Sequence, residues 1–279
     1  MTRIRFDGRE LRRREPALGP DVRGGLSVPG DLAVDNRMLL TALRHAAARA
    51  GVQVEPHAAA EVLDDGARVV GVRRADGVEL PADAVVIAAG AHSSALHPAL
   101  DGLVRPVKGE ILRLAHRAGA FPPPGRTVRA LVDGRPVYLV PRGGSGVRPG
   151  VVVGATQYET GFDTEVTVGG VRDLLRDAER IVPGIAEYAL LEASAGLRPG
   201  SPDNLPLVGA LGPEGLVAAT GHGRNGILLA PVTAEAVVAV LCGDPLPAEV
   251  LAADSGRFGG EVGPETDHEE VGRVRVDQR

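Results

Sequence analysis

Three stretches of the chain differ in how apolar and polar residues alternate, and each predicts its own kind of structure. From residue 35, Met38, Leu39, Leu43, Ala46, Ala47 and Ala50 recur at helical spacing, with Asp35 suited to cap the free amides and Gly51 to end the run. A helix is predicted there, its apolar face packed on a neighbour. Strands are predicted at Val52–Val54 and Glu61–Leu63, then an Asp64-Asp65-Gly66 turn and an alternating run from Arg68 to Arg74. Ala84 to Ala89 is continuously apolar, as in a strand buried on both faces of a layered α/β sheet, and Gly90 after it leaves room for a ligand.

From Val104 to Thr156 the pattern becomes longer alternating runs separated by turns such as Asp133-Gly134 and the loop 143–146, which predicts an antiparallel sheet. A helix follows, with Leu174, Leu175, Ala178, Ile181 and Val182 on one face, and then a strand through Tyr188–Leu197. The third stretch is a strand at Gly215–Thr220, a glycine loop, and a helix from Ile227 to about Leu241. Residues 9–24 read as a short helix and a loop. Beyond Asp254 the polar, acidic composition predicts a disordered tail.

Composition narrows the function classes. No apolar run reaches the ~18 residues of a membrane span, and the basic residues are scattered along a chain of net charge −5, which argues against a nucleic-acid groove. One cysteine, Cys242, leaves no internal disulfide and no paired-cysteine metal or redox site. With no secretory segment at residues 1–7, a cytosolic protein is expected. His92, His97 and His222 lack the spacing of metal ligands, and Cys242 reads as a small packed residue.

Two features point to chemistry. Gly221-His222-Gly223-Arg224-Asn225-Gly226 is a G-x-G-x-x-G loop between a strand and a helix. A nicotinamide site would need a further parallel strand with an acidic residue at its end. Asp244 lies in Cys242-Gly243-Asp244-Pro245 with no apolar strand after it. What remains is a helix N-terminus at Ile227 able to face an anionic group, or a tight turn with no ligand. Arg198, held extended by Pro199, can clamp a carboxylate through two parallel hydrogen bonds, or serve in a surface ion pair. Tyr138, in an alternating strand, can add a second donor or simply pack.

Taken together, Gly24-Gly25-Leu26-Ser27-Val28-Pro29-Gly30-Asp31, Val107-Lys108-Gly109-Glu110, Tyr138-Leu139-Val140-Pro141, Gly196-Leu197-Arg198-Pro199, Asp203 to Gly209 and Gly221 to Ile227 resemble the glycine oxidases of thiamine biosynthesis, which are D-amino-acid oxidase-like flavoproteins. The resemblance implies α/β plus antiparallel β structure, with an FAD-binding Rossmann-like domain interrupted by a substrate domain. The expected division is an N-terminal segment at 1–34, the FAD-binding domain at 35–103 and 200–250, the antiparallel domain at 104–199, and a tail at 251–279. The family's Gly-rich βαβ unit is expected ahead of these residues; residues 1–34 hold no substitute for it, so the FAD domain is expected to be incomplete.

The resemblance further implies FAD as cofactor and a small amino acid or amine with O2 as substrates. Hydride passes from the substrate Cα to flavin N5, so no side-chain base is nominated. Arg198, Tyr138 and Arg224 are the implied substrate residues. Val62, Gly90, Gly221, His222, Gly223, Arg224, Asn225, Gly226 and Ile227 are the implied cofactor residues, Val62 through its backbone. No metal, membrane or nucleic-acid partner is implied, and a homo-oligomer is compatible. Three readings stay open: an oxidase, a non-catalytic remnant or partner subunit, and a dehydrogenase of the same family.

Overall fold

The computed structural model describes residues 4–144 and 147–258. A hairpin opens the chain: β1 (Ile4–Asp7) pairs antiparallel with β2 (Gly24–Ser27) around the short helix α1 (Gly8–Arg14), which Asp7 and Glu10 close with a reciprocal capping box. Helix α2 (Asn36–Arg49) begins where predicted, the Asp35 carboxylate accepting from the Arg37 and Met38 amides. Its apolar face does not pack as expected: no residue of α2 is buried, and Met38, Leu40 and Leu43 are exposed.

Next comes a small antiparallel sheet of β3 (Ala59–Asp64), β4 (Val69–Arg74) and β5 (Glu79–Pro81). The strand expected at Val52–Val54 is absent and both valines are exposed; β5 fills the third place instead. The apolar run yields β6 (Val85–Ile87), of which only Ile87 is fully buried. A 3-10 turn over Gly90–Ala95 follows directly.

The centre of the molecule is an antiparallel sheet in the order β11-β7-β10-β9-β8. Its strands are β7 (Arg105–Ala115), β8 (Val128–Val132), β9 (Arg135–Gly144), β10 (Val147–Gly154) and β11 (Ala189–Gly200). Strand alternation decides which face is buried. Leu112, Leu114, Val137, Leu139, Val151 and Val153 point to one side and pack with Leu174, Ala178 and Ile181 of helix α3 (Val168–Ile181). Ala17, Leu18 and Val22 pack on this same core, so the N-terminal segment belongs physically to the sheet. The opposite face is free of the α3 core.

The chain ends on a second small sheet. Strand β12 (Leu207–Ala210) pairs antiparallel with β13 (Leu216–Thr220), and β13 pairs parallel with β6. Helix α4 (Gly226–Cys242) leaves β13 through the glycine loop. It is apolar along most of its length, yet only Ala236 is buried; Ile227, Leu228, Val238 and Leu241 are exposed, and so is Cys242, contrary to the packed role expected of it.

The tail expected from residue 251 is in fact folded as far as Phe258. Val250 and Ser255 are buried, the Ser255 hydroxyl donates to the Ala210 carbonyl at 2.7 Å, and Arg257 forks onto the Asp203 carboxylate. Short polar ties, invisible to a hydropathy pattern, hold this segment together with Ala253 and Phe258, which pack on core residues. The remainder of the expected tail lies outside the described residues, as do Ser145 and Gly146 of the 143–146 loop.

Candidate functional site

The site lies on the sheet face turned away from α3. Arg198 on β11 is the Cα partner of Val107 on β7, and Gly196 that of Gly109. The Arg198 side chain leans along the strands until its guanidinium lies flat over Gly109: a Cβ built there would fall 2.2 Å from Nη2 and 2.3 Å from Nη1. Tyr138 on β9 is paired with Gly154 on β10 and lies over it in the same way, since a Cβ at Gly154 would fall 2.3 Å from the phenol oxygen. Two strand glycines thus form the floor on which the two polar side chains rest. Glycine inside a strand is a recognised sign of close approach, a signal that could have marked both residues from the sequence.

The environment of Arg198 is that of a cation waiting for an anion. Among the described residues its guanidinium meets only carbonyls, Nη1 donating to Thr156 at 3.3 Å and to Lys108 at 3.4 Å. Burial pushes its pKa below the usual arginine range; the Tyr138 phenol works against this, and the positive charge of Arg224 adds to it. Arg198, Tyr138 and Arg224, predicted separately as substrate residues, are therefore near enough to feel one another. Arg224 itself is exposed and forms no ion pair among the described residues. A half-buried cation with a second cation close enough to act on it favours an anionic group beside its guanidinium.

The glycine loop is fastened to this site. The Gly223 amide donates to the Pro199 carbonyl at 2.8 Å, one residue beyond Arg198. Gly221 and Gly223 adopt φ of +74° and +55°, which glycine alone reaches without steric cost. Asn225 occupies the N-cap position of α4, but its side chain makes no capping bond, so the first-turn amides of Gly226, Ile227 and Leu228 are left for another acceptor. His222 spends its ring within the protein: Nε2 lies 2.9 Å from Thr233 Oγ1 of α4, and burial lowers its pKa. The Nε2 side of the ring is therefore closed to a ligand.

Gly90 joins the same region. It follows β6, whose parallel neighbour β13 ends at Thr220, and the Gly90 carbonyl accepts from both Ser93 Oγ at 2.8 Å and Thr220 Oγ1 at 3.2 Å. The carboxyl ends of two parallel strands, each closed by a positive-φ glycine, therefore lie side by side, and ligands of α/β sheets bind at such ends. No atom lies within 4 Å of a Cβ built on Gly90 or Gly223. Val62 is different. It is 3% exposed in the core, and its amide already donates to the Leu96 carbonyl at 2.8 Å, so its N–H is not free for a ligand.

His97, buried, lies 3.1 Å from Asp64 and accepts from the Ala99 amide, so it caps a turn. His92 stacks on Phe162. Among the described residues no cluster of histidine, cysteine and carboxylate groups could hold a metal, and no helix is long and apolar enough to cross a membrane.

A half-buried arginine on a sheet thus adjoins glycine-closed parallel strands and an open helix N-terminus, the arrangement of a protein that binds an anionic ligand at strand ends. Residues 2–240 match the family described as FAD dependent oxidoreductase, and the chain belongs to that family. The chain is 35% identical over 252 residues to a glycine oxidase of Pseudomonas putida, covering 88% of this chain and 65% of that one. It is 36% identical over 236 residues to the bifunctional protein ThiO/ThiG of a Nostoc species, covering 83% of this chain and 34% of the relative. Among solved structures, the glycine oxidase of Geobacillus kaustophilus superposes with a TM-score of 0.78 at 30% identity, covering 92% of this chain and 67% of that one. The chain thus spans about a third of the bifunctional relative and just under two thirds of the P. putida oxidase.

The residues present fit the flavin end of FAD. Gly90 after β6 and Gly223 in the loop after β13 have open space where a Cβ would stand, and the open first turn of α4 offers amides where negative charge accumulates on a reduced flavin.

Proposed function

We propose that this chain carries the substrate site and flavin-facing loop of a cytosolic glycine oxidase that serves thiamine thiazole synthesis, a reading supported by its likeness to relatives named ThiO/ThiG and glycine oxidase. The carrying observation is Arg198, a half-buried cation laid on Gly109 with only carbonyl partners among the described residues. Its free guanidinium edge binds the carboxylate of glycine or another small amino acid, and the Tyr138 hydroxyl donates a second bond to the same group. Arg224, at the exposed end of the glycine loop, adds positive charge at the entrance. Bound FAD would accept the hydride from the substrate Cα and pass the electron pair to O2, so that amino acid, O2 and water become keto acid, ammonia and H2O2.

The chain's own work is orientation. A carboxylate held at two points leaves the α-carbon pointing at the loop 221–227, and the α4 amides stabilise charge on that side. The shallow, polar floor of two glycines suits a substrate with little or no side chain. Purified protein supplied with FAD is expected to release peroxide with glycine. Arg198→Ala is expected to raise the glycine concentration needed by about 10- to 100-fold, the loss of one or two charged hydrogen bonds, whereas Arg172→Ala on the exposed side of α3 leaves it unchanged. Equal effects of the two substitutions would remove Arg198 from the clamp.

A further inference from the structure

On the face of β7 opposite Gly109 the chain buries its single lysine. Lys108 is 1% exposed and Glu110, two residues on, is completely buried. Lys108 Nζ donates to Asp163 Oδ2 at 2.5 Å and lies 3.8 Å from Glu110 Oε1. Glu110 in turn accepts from the Thr167 amide at 2.8 Å and the Thr156 hydroxyl at 3.4 Å, while its own amide donates to Thr156 Oγ1 at 2.9 Å. The Lys108 and Tyr158 backbones exchange two further hydrogen bonds. Beyond each other, the two side chains therefore find their partners, Asp163, Thr156 and Thr167, in one segment, residues 155–167, between β10 and α3.

That segment has no buried residue of its own. Without a buried apolar anchor, its position rests on these polar ties, on the exposed ion pair of Glu159 with Arg105 at 3.5 Å, and on the stacking of Phe162 against His92, ring centres 4.8 Å apart, in the turn after Gly90. It also supplies half of the Arg198 cradle: Nη1 donates to the carbonyl of Thr156 and to that of Lys108 itself. A shift of the segment would release Nη1 and let the guanidinium swing off Gly109. Buried charges keep their place only when paired, so removing one member of the cluster loosens the others.

We propose that Lys108, paired with Asp163 and Glu110, is a positioning residue for Arg198: it pins segment 155–167 so that two carbonyls hold Nη1 while Nε and Nη2 stay free for the substrate carboxylate. This rests on the reading of Arg198 as the clamp, and the test separates the two. Binding of glycolate, an unreactive small carboxylate, to the FAD-loaded protein is measured by calorimetry, with thermal stability alongside, for the unsubstituted protein, Asp163→Asn, Asp163→Glu, Arg198→Lys and Arg172→Ala. Asp163 is partly exposed, so its substitution spares the core.

Asp163→Asn is expected to weaken glycolate binding by about tenfold with little change in melting temperature. Asp163→Glu, which restores the charge, is expected to recover most of that affinity, and Arg172→Ala to behave like the unsubstituted protein. An Asp163→Asn protein that binds glycolate normally, or loses stability without losing affinity, overturns the positioning role while leaving the clamp intact, provided Arg198→Lys still abolishes binding. If Arg198→Lys also binds normally, or the unsubstituted protein binds no glycolate, both readings fall.

Discussion

At Arg198 the guanidinium rests on the bare Cα of Gly109, and directly across the strand pair stands a second glycine, Gly196, whose missing Cβ would meet nothing within 4 Å. Gly109 lies buried on the inner strand β7 and Gly196 exposed on the edge strand β11, and the guanidinium lies over the first alone. Gly109→Ala is therefore expected to raise the glycine concentration needed for half-maximal rate by at least about tenfold, because the displaced guanidinium loses a charged hydrogen bond, whereas Gly196→Ala has little effect; steady-state kinetics on both check it. Tyr138→Phe, which removes one neutral donor, is expected to cost about 2- to 10-fold in the same measurement.

His222 makes a prediction of a different kind. Burial depresses its folded pKa, so between that value and the unfolded value near 6.5 the unfolded chain binds more protons. Stability therefore falls as pH drops below about 6.5. Urea midpoints at pH 5.5 and 7.5 are expected to differ less in His222→Gln than in the parent. At this scale the sequence marked Arg198, Tyr138 and the glycine loop because each is a residue type with distinctive chemistry. Gly109 and Gly154 carried the strand-glycine sign of close approach, but which side chain lies over each is set by the fold. Nor could the sequence tell that the Val62 amide and the His222 ring are engaged within the protein, because their partners Leu96 and Thr233 are set by the fold.

Among the elements, the strands of the central sheet and helix α3 were legible because alternation and helical periodicity there both end in real burial. Leu139 is fully buried on β9, whereas Leu40 of α2 is half exposed. Leu139→Ala is expected to destabilise by about 2–5 kcal/mol and Leu40→Ala by under about 0.5 kcal/mol, a contrast that chemical denaturation can read directly. Periodicity predicted α2 and α4 correctly as helices and predicted a packed face for α2 that this structure does not show. The pattern reports what a segment is able to bury; it does not say whether a partner is present. The strands β1, β5 and β12 went unread because each is short. The folded segment after Asp254 was missed because one apolar residue, Phe258, gives no periodicity, and its other anchors are polar, notably Arg257 on Asp203 and Ser255 on Ala210.

Across the whole molecule, the proposed function assigns the carboxylate to the face of the antiparallel sheet and the cofactor to the open ends of the parallel pair β6 and β13. The bond from Gly223 to Pro199 and the stacking of Phe162 on His92 join the two parts. Family membership and the order of motifs were readable from the sequence because they run in register over most of the chain. The central claim is that Arg198 selects a substrate by its carboxylate, and comparing glycine with methylamine tests it most directly. Peroxide release from both amines is measured with the FAD-loaded protein and its Arg198→Ala variant. The account predicts a strong preference for glycine that collapses in the variant because glycine turnover falls while methylamine turnover does not. A variant that keeps the parent's preference would contradict it.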